Sequence, residues 1–152
     1  MIIFLLLIFY LSIASAMDIK RRKIGNDWII YGLISGLLLS SMDAGILGFV
    51  TSLKGILYPL PLIILYGFRL LGAGDIKLLM VCGSFLGIEN LKGCLPLMLI
   101  SAGISAIYFM ILNNWKLFRS EAGISHHIPL APAIFLGVVL RFVYTAGTMV
   151  SG

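Results

Sequence analysis

Long apolar runs separated by short polar gaps constrain this chain more than any other feature of its sequence. The runs cover residues 1–17, 28–42, 44–68, 78–88, 93–114 and 128–148, and the fourth is expected to extend back to Asp75 and forward past Glu89. An α-helix needs roughly 20 residues to cross the hydrocarbon core of a bilayer. Of the 152 residues 61% are hydrophobic and 11% are charged, whereas a soluble domain is about 25% charged. We therefore expect an all-α fold, a polytopic membrane helix bundle of about six transmembrane helices that forms a single domain over residues 1–152.

The basic residues indicate how such a bundle would be oriented. Six spans place the gaps after the first, third and fifth apolar runs on one side of the membrane, and the positive-inside rule makes the more basic side cytoplasmic. The basic residues of these gaps are Lys20, Arg21, Arg22, Lys23, Arg69, Lys77, Lys116 and Arg119. The turns on the other side, near Asp43 and near Glu89–Lys92, contain a single basic residue. This asymmetry predicts a multi-pass protein with both termini outside.

The net charge of +5 does not indicate a nucleic-acid partner, because the basic residues lie in short gaps between apolar runs. Membrane lipid is the expected partner of this charge. Two basic residues, Lys54 and Arg141, instead interrupt apolar runs. They either snorkel to the outer interface or face the bundle interior and pair with a polar group, and snorkelling is the favoured alternative.

The cysteines and paired glycines are interpreted as packing residues. Cys82 and Cys94 do not form a CxxC pair, so we expect no metal site and no cofactor, and both thiols serve as small apolar side chains. The spacings Gly32-x3-Gly36 and Gly83-x3-Gly87 are typical of helices that approach closely in lipid.

Two aspartates are the strongest functional candidates. Asp18 ends the first apolar run and Asp75 begins the fourth, so the predicted topology puts both at the cytoplasmic face. Ionisable groups at membrane depth are costly and therefore indicate function. Taken separately, Asp75 could be an ordinary helix N-cap and Asp18 an interfacial charge. Their coincident depth favours a catalytic pair.

Close carboxylates share a proton and can activate water, which is the chemistry of an aspartic protease. Asp75 lies near a helix N-terminus, whose dipole favours the anion, and Asp18 lies near a helix C-terminus, whose dipole disfavours it. Our hypothesis is that Asp75 is the resting base and Asp18 the resting acid, although such a pair titrates as a unit. Gly72 and Gly74 lack a Cβ and can adopt unusual backbone conformations, so they could let an extended substrate lie close to Asp75.

Three segments resemble the type IV prepilin peptidase family of GxGD membrane proteases. Gly72-Ala73-Gly74-Asp75-Ile76-Lys77-Leu78-Leu79-Met80 is similar to its GxGD region. Asp18-Ile19-Lys20-Arg21-Arg22-Lys23-Ile24-Gly25-Asn26 resembles its first aspartate motif, with Gly25 where the family has proline. Ile128-Pro129-Leu130-Ala131-Pro132, with Gly137, resembles the start of its last helix. The segments occur in the expected order over nearly the whole chain.

The resemblance implies a membrane aspartic endopeptidase that removes short basic leader peptides from type IV prepilins or prepilin-like subunits. It implies that Asp18 and Asp75 are catalytic, with Lys77 and Asn26 as substrate-binding or dyad-supporting residues. It also implies the inner membrane of a prokaryote, with the active site at the cytoplasmic face. Larger members carry a cysteine-containing region and methylate the new N-terminus. The chain resembles the compact members, so we expect no methyltransferase activity.

Three other classes remain open at this point. Presenilin-type intramembrane proteases also use GxGD, but they are longer and place a tyrosine before the first aspartate, where this chain has Met17. A small proton-coupled transporter would explain membrane aspartates but not the basic segment after Asp18. A non-catalytic pilus-assembly membrane protein is the third alternative.

Overall fold

The computed structural model describes residues 2–21, 24–67, 72–112 and 131–150, and within these ranges the chain is helical with no strand. The helices are α1 (Ile2–Arg21), α2 (Asn26–Leu57), α3 (Ile63–Gly67), α4 (Ala73–Leu112) and α5 (Ala131–Val150), with a 3₁₀ turn at Leu60–Leu62 between α2 and α3. The predicted all-α class is confirmed. The ends of the predicted runs at Phe68, Asn114 and Ile128 lie outside the described residues.

The two longest helices are each interrupted by a glycine in a left-handed conformation. In α2 the break lies at Ala44 and Gly45, where Gly45 has φ 59°. In α4 it lies at Gly87, which has φ 66° and ψ 173°, a backbone region that is essentially restricted to glycine. The breaks divide α2 into a first arm (26–43) and a second arm (46–57), and α4 into a first arm (73–86) and a second arm (88–112). The predicted fourth run therefore ends at Gly87 and does not extend past Glu89.

The first arms of α2 and α4 run parallel to each other. Lys77 Nζ is 2.9 Å from Asn26 Oδ1, and a Cβ built on Gly36 would collide with Ser84 Oγ. Residue numbers therefore increase together along this contact. Each helix thus starts at the same end of the bundle.

The second arm of α2 runs back along the first arm of α4. A Cβ on Gly87 would lie 3.4 Å from Thr51 Oγ1, and one on Gly83 would collide with the carbonyl of Gly55. Here residue numbers change in opposite directions. The break at Gly45 is therefore a reversal of chain direction and not a gentle bend.

The second arm of α4 runs antiparallel to α5. Ser101 Oγ donates to the carbonyl of Ala133 at 2.6 Å, and a Cβ on Gly137 would lie 2.6 Å from Met98 Cα. This pairing makes Gly87 the site of a second reversal.

α1 packs against both α5 and α2 through aromatic side chains. The Phe4 and Phe142 rings are 5.9 Å apart. The Tyr10 and Trp28 rings stack at 5.1 Å with an interplanar angle of 9°. The C-terminal end of α1 therefore lies toward the first turn of α2.

The core is formed mainly by α1, α4 and α5. Its fully buried large side chains include Leu7, Leu11, Leu78, Leu79, Val81, Leu91, Met98 and Val138. Cys82 and Cys94 are free and buried in it, as predicted for packing residues. At Gly32, Gly36 and Gly83 an added Cβ would meet neighbouring helices at less than ordinary contact distance, which confirms the close approach expected from their spacing.

Two stretches are long and apolar enough to cross a membrane, Asn26–Leu62 and Ala73–Ser105. The shorter apolar helices are Ile2–Asp18 and Ala131–Thr145. Many large apolar side chains are exposed outside the core, among them Met42, Ile46 and Leu47 on α2. Such a surface fits a lipid environment.

Candidate active site at one end of the bundle

Four helix ends meet where the sequence predicted a site. α1 ends there, whereas α2, α4 and α5 begin there, as the helix directions above require. We call this the aspartate end and define it by Asp18, Asn26, Asp75 and Ala131. The opposite end contains the breaks at Gly45 and Gly87.

Asp18 lies in the last turn of α1 and is partly buried. Its Oδ2 accepts the backbone N–H of Ala131, the first residue of α5, at 3.3 Å. The first backbone N–H groups of a helix have no partner within the helix. Pro132, the next residue, has no backbone N–H. At the start of α5, Asp18 therefore accepts its hydrogen bond from the N–H of Ala131.

This contact changes the electrostatic interpretation of Asp18. The sequence analysis considered only α1, whose C-terminus disfavours an anion. The structure adds the N-terminus of α5, whose dipole favours an anion and whose first N–H donates to Asp18. The helix dipoles therefore no longer indicate which carboxyl group, that of Asp18 or that of Asp75, is the ionised one at rest.

Asp75 lies in the first turn of α4, and its Oδ2 accepts the backbone N–H of Gly72 at 3.0 Å. The Gly72 carbonyl accepts the N–H of Asp75 at 3.1 Å. Gly72 is thus the N-cap residue, and Asp75 reaches back to it from the third helical position, as the acid of a capping box does. Asp75 is therefore not itself the N-cap that the sequence analysis considered. Its capping bond uses one carboxylate oxygen and fixes the direction of the group.

Lys77 and Asn26 are brought together across 51 positions of sequence. Lys77 Nζ donates to Asn26 Oδ1 at 2.9 Å, and both side chains are exposed. The bond joins the first turn of α4, which carries Asp75, to the first residue of α2. It leaves Lys77 two residues from Asp75, at the aspartate end.

Gly74 lies in the helical first turn of α4, and its φ is not positive. The unusual backbone expected at this glycine is therefore absent. An added Cβ would meet nothing within 4 Å, and the residue is exposed. The feature that Gly74 contributes is open space next to Asp75.

Tyr10 and Trp28 join α1 to the first turn of α2, a contact that the sequence analysis did not predict. Tyr10 donates its hydroxyl to the carbonyl of Trp28 at 2.8 Å. A Cβ on Gly32 would lie 2.6 Å from Tyr10 Cζ, so the glycine leaves room for the ring. Tyr10, Ala14 and Asp18 are spaced four residues apart and share one face of α1. That spacing is the signal that could have identified Tyr10.

In the ranges that the structure describes, no three His, Cys, Asp or Glu side chains gather where they could hold a metal ion.

Five of the basic residues assigned to the cytoplasmic gaps lie outside the described ranges: Arg22, Lys23, Arg69, Lys116 and Arg119. Lys20 is exposed in the last turn of α1.

An apolar helical bundle with carboxylates held at helix ends defines a membrane protein with an acidic site. The sequence model of the type IV leader peptidase family matches residues 5–111. The chain therefore belongs to this family of proteases, as its motifs predicted. The matched range includes both Asp18 and Asp75. Searches among curated proteins and among solved structures gave no match.

Proposed function

We propose that the chain is an aspartic endopeptidase that removes short basic leader peptides from type IV prepilins or prepilin-like subunits. The observation that carries the proposal is the presence of Asp18 and Asp75 at one end of the bundle in a type IV leader peptidase. Each carboxylate is held by a backbone N–H at the start of a helix.

Asp18 and Asp75 act together on the scissile peptide bond. One carboxylate takes a proton from water as the water oxygen bonds to the carbonyl carbon, and the other, protonated, donates its proton to the carbonyl oxygen. The tetrahedral intermediate collapses when the first carboxyl gives its proton to the leaving nitrogen, the C–N bond breaks, and a hydroxyl of the intermediate returns a proton to the second carboxylate. This chemistry needs no metal or cofactor.

The proposed setting is the inner membrane of a prokaryote, crossed about six times, with both termini outside and the aspartates at the cytoplasmic face. The reversals at Gly45 and Gly87 support this count, because they convert two long helices into four arms. Exposed Lys20 and Lys77 lie at the aspartate end, as the positive-inside rule requires of a cytoplasmic face.

The neighbouring residues have supporting functions in this proposal. Lys77 favours the ionised form of the pair and, through Asn26, holds the first turn of α4 against α2. Gly72 supplies the N–H that orients Asp75. The open space at Gly74 lets an extended substrate backbone approach the carboxylate.

The test is to incubate the purified protein in detergent or lipid with a peptide that carries a basic prepilin leader and to identify products by mass spectrometry. We expect a single cut that is absent with Asp18→Asn and with Asp75→Asn. An assembly protein or a proton-coupled transporter would leave the peptide intact, and the transporter would instead acidify or alkalinise sealed vesicles. Repeating the reaction with S-adenosylmethionine shows whether the new N-terminus stays unmethylated, as expected.

A further inference from the structure

The two proposed catalytic carboxylates receive their backbone hydrogen bonds in different ways. Asp75 accepts the N–H of Gly72, which lies three residues before it at the start of the same helix. Asp18 lies in the last turn of α1, and the end of a helix presents unpaired carbonyls instead of unpaired N–H groups. It accepts the N–H of Ala131 at 3.3 Å, from the start of a different helix. The direction of the Asp18 carboxylate therefore depends on how the first turn of α5 is docked.

The donor on α5 is well protected. Ala131 is fully buried, so water has little access to its N–H. The first N–H groups of a helix have no acceptor within that helix, so Ala131 donates to Asp18 without giving up a helical bond. Because Pro132 has no N–H, the next residue of α5 offers no competing donor. One backbone group thus sets the contact between the start of α5 and the carboxylate.

A serine of α4 fastens the same turn of α5. Ser101, in the second arm of α4, is partly buried, and its Oγ is 2.6 Å from the carbonyl of Ala133 and 2.9 Å from that of Met98. A hydroxyl carries one hydrogen, and the shorter distance favours Ala133. About one turn further along α5, a Cβ on Gly137 would lie 2.6 Å from Met98 Cα. Ser101 is therefore the polar link at the end of a close helix contact, two residues from Ala131.

We propose that Ala131 and Ser101 are positioning residues of the leader-peptidase reaction. Ser101 holds the first turn of α5 on α4, and the Ala131 N–H thereby holds Asp18 in the direction that pairing with Asp75 requires. α4 thus positions both carboxylates, since it carries Asp75 itself and acts on Asp18 through α5. This role rests on the proposed function. A displacement of about 1 Å at a reacting group can cost about 10²-fold in rate, so weakening either link should slow the chemical step.

The first test removes the Ala131 N–H alone. Incorporation of lactic acid at position 131 by nonsense suppression replaces the N–H by an ester oxygen and keeps the methyl side chain. The matched control is lactic acid at Ala133, whose N–H also belongs to the first turn of α5. With a peptide that carries a basic prepilin leader, we expect a lower kcat and an unchanged KM for the ester at position 131, and a kcat near that of the wild type for the ester at position 133. Equal kcat values for the two esters would overturn the role of Ala131.

The second test removes the serine link with an ordinary substitution, and it decides the proposal if the ester proteins do not fold. Ser105→Ala is the matched control for Ser101→Ala, because Ser105 Oγ bonds the carbonyl of Ala102 on its own helix at 2.9 Å. We expect Ser101→Ala to lower kcat per folded enzyme at unchanged KM, Ser101→Thr to recover most of the loss through its hydroxyl, and Ser105→Ala to match the wild type. A lower Tm with wild-type kcat per folded enzyme in Ser101→Ala would show a purely structural bond and would overturn the role of Ser101.

The wild-type reaction separates failure of this inference from failure of the proposed function. A wild-type protein that leaves the peptide intact would overturn the proposed function and the positioning roles with it. Cleavage by the wild type, together with wild-type kcat in both the position 131 ester and Ser101→Ala, would overturn the positioning roles alone.

Discussion

Ala131, the first residue of α5, donates its backbone N–H to Asp18 Oδ2 at 3.3 Å across 113 positions of sequence. α5 lies beyond residues 5–111, the range that matches the family. The last helix therefore contributes to the environment of a proposed catalytic carboxylate. This contact makes asparagine the most informative replacement for Asp18, because its side-chain oxygen can still accept the N–H.

Asp18→Asn and Asp75→Asn should each abolish cleavage of a leader peptide and leave membrane insertion intact. Each amide keeps an acceptor for Ala131 or Gly72 but removes the proton-transfer group, and loss of one member of a catalytic unit costs several powers of ten in rate. Cleavage rate and Tm are measured for each variant.

Asp43→Asn is the control, since Asp43 is exposed near the break at Gly45, at the opposite end of the bundle. It should cleave at the wild-type rate. Substantial activity in either Asp18→Asn or Asp75→Asn would contradict the two-aspartate mechanism.

Lys77→Ala should slow cleavage, because it removes both a cation near Asp75 and the bond to Asn26 that holds the first turn of α4 against α2. Removing a cation near Asp75 makes ionisation of the pair less favourable. The acidic limb of the rate profile should therefore move to higher pH. Asn26→Ala should also slow cleavage, with a smaller pH displacement because the Lys77 charge remains. Rates per folded enzyme across pH give both quantities.

The double variant Arg21→Gln, Arg22→Gln is the comparison for Lys77→Ala. A basic leader is repelled by these arginines, so they are expected to set topology and contact anionic lipid, each contributing about 1 kcal/mol. The double variant should alter insertion or abundance more than intrinsic cleavage. Unchanged cleavage kinetics in Lys77→Ala, together with a large loss of cleavage rate in the double variant, would contradict these roles. Lys77 would then not support the site, and the arginines would.

The topology prediction is independent of catalysis. A cysteine introduced at Arg22 or Arg119 should react with a membrane-impermeant reagent from the cytoplasmic side, and one at Asp43 or Asn90 from the outside. Cys82 and Cys94 are buried, so the unmodified protein supplies a low background. The reverse labelling pattern would place the aspartates outside and contradict the leader-peptidase proposal.

The helical class, the packing glycines and the family were predictable because they depend on composition and short motifs. Apolar runs require helices in lipid, and the segments around Asp18 and Asp75 carry the resemblance locally. The contacts between distant segments were not predictable in this way. Nothing in the sequence near Asp18 indicates that Ala131 would donate to it, since that pairing depends on how α1 and α5 pack.

The backbone conformations of two glycines were also not predicted from the sequence. Gly87 has the spacing of a packing glycine, yet it ends the first arm of α4 with φ 66°. Spacing alone does not distinguish a glycine needed for close approach from one needed for its backbone conformation. Gly74 shows the converse, because its motif suggested an unusual conformation and the helix gives it an ordinary one.

The contact between Gly55 and Gly83 gives the final prediction, which concerns stability. A Cβ on Gly83 would collide with the carbonyl of Gly55, and neither backbone can move without separating α2 from α4. Gly83→Ala should therefore destabilise the protein by about 1–3 kcal/mol, the usual cost of overpacking. Gly103→Ala is the matched control on the same helix, because a Cβ there would meet nothing within 4 Å. Thermal unfolding in detergent should show a lower Tm for Gly83→Ala and an unchanged or slightly higher Tm for Gly103→Ala, since alanine favours the helix over glycine. Equal Tm values for the two variants would contradict the close packing of α2 on α4.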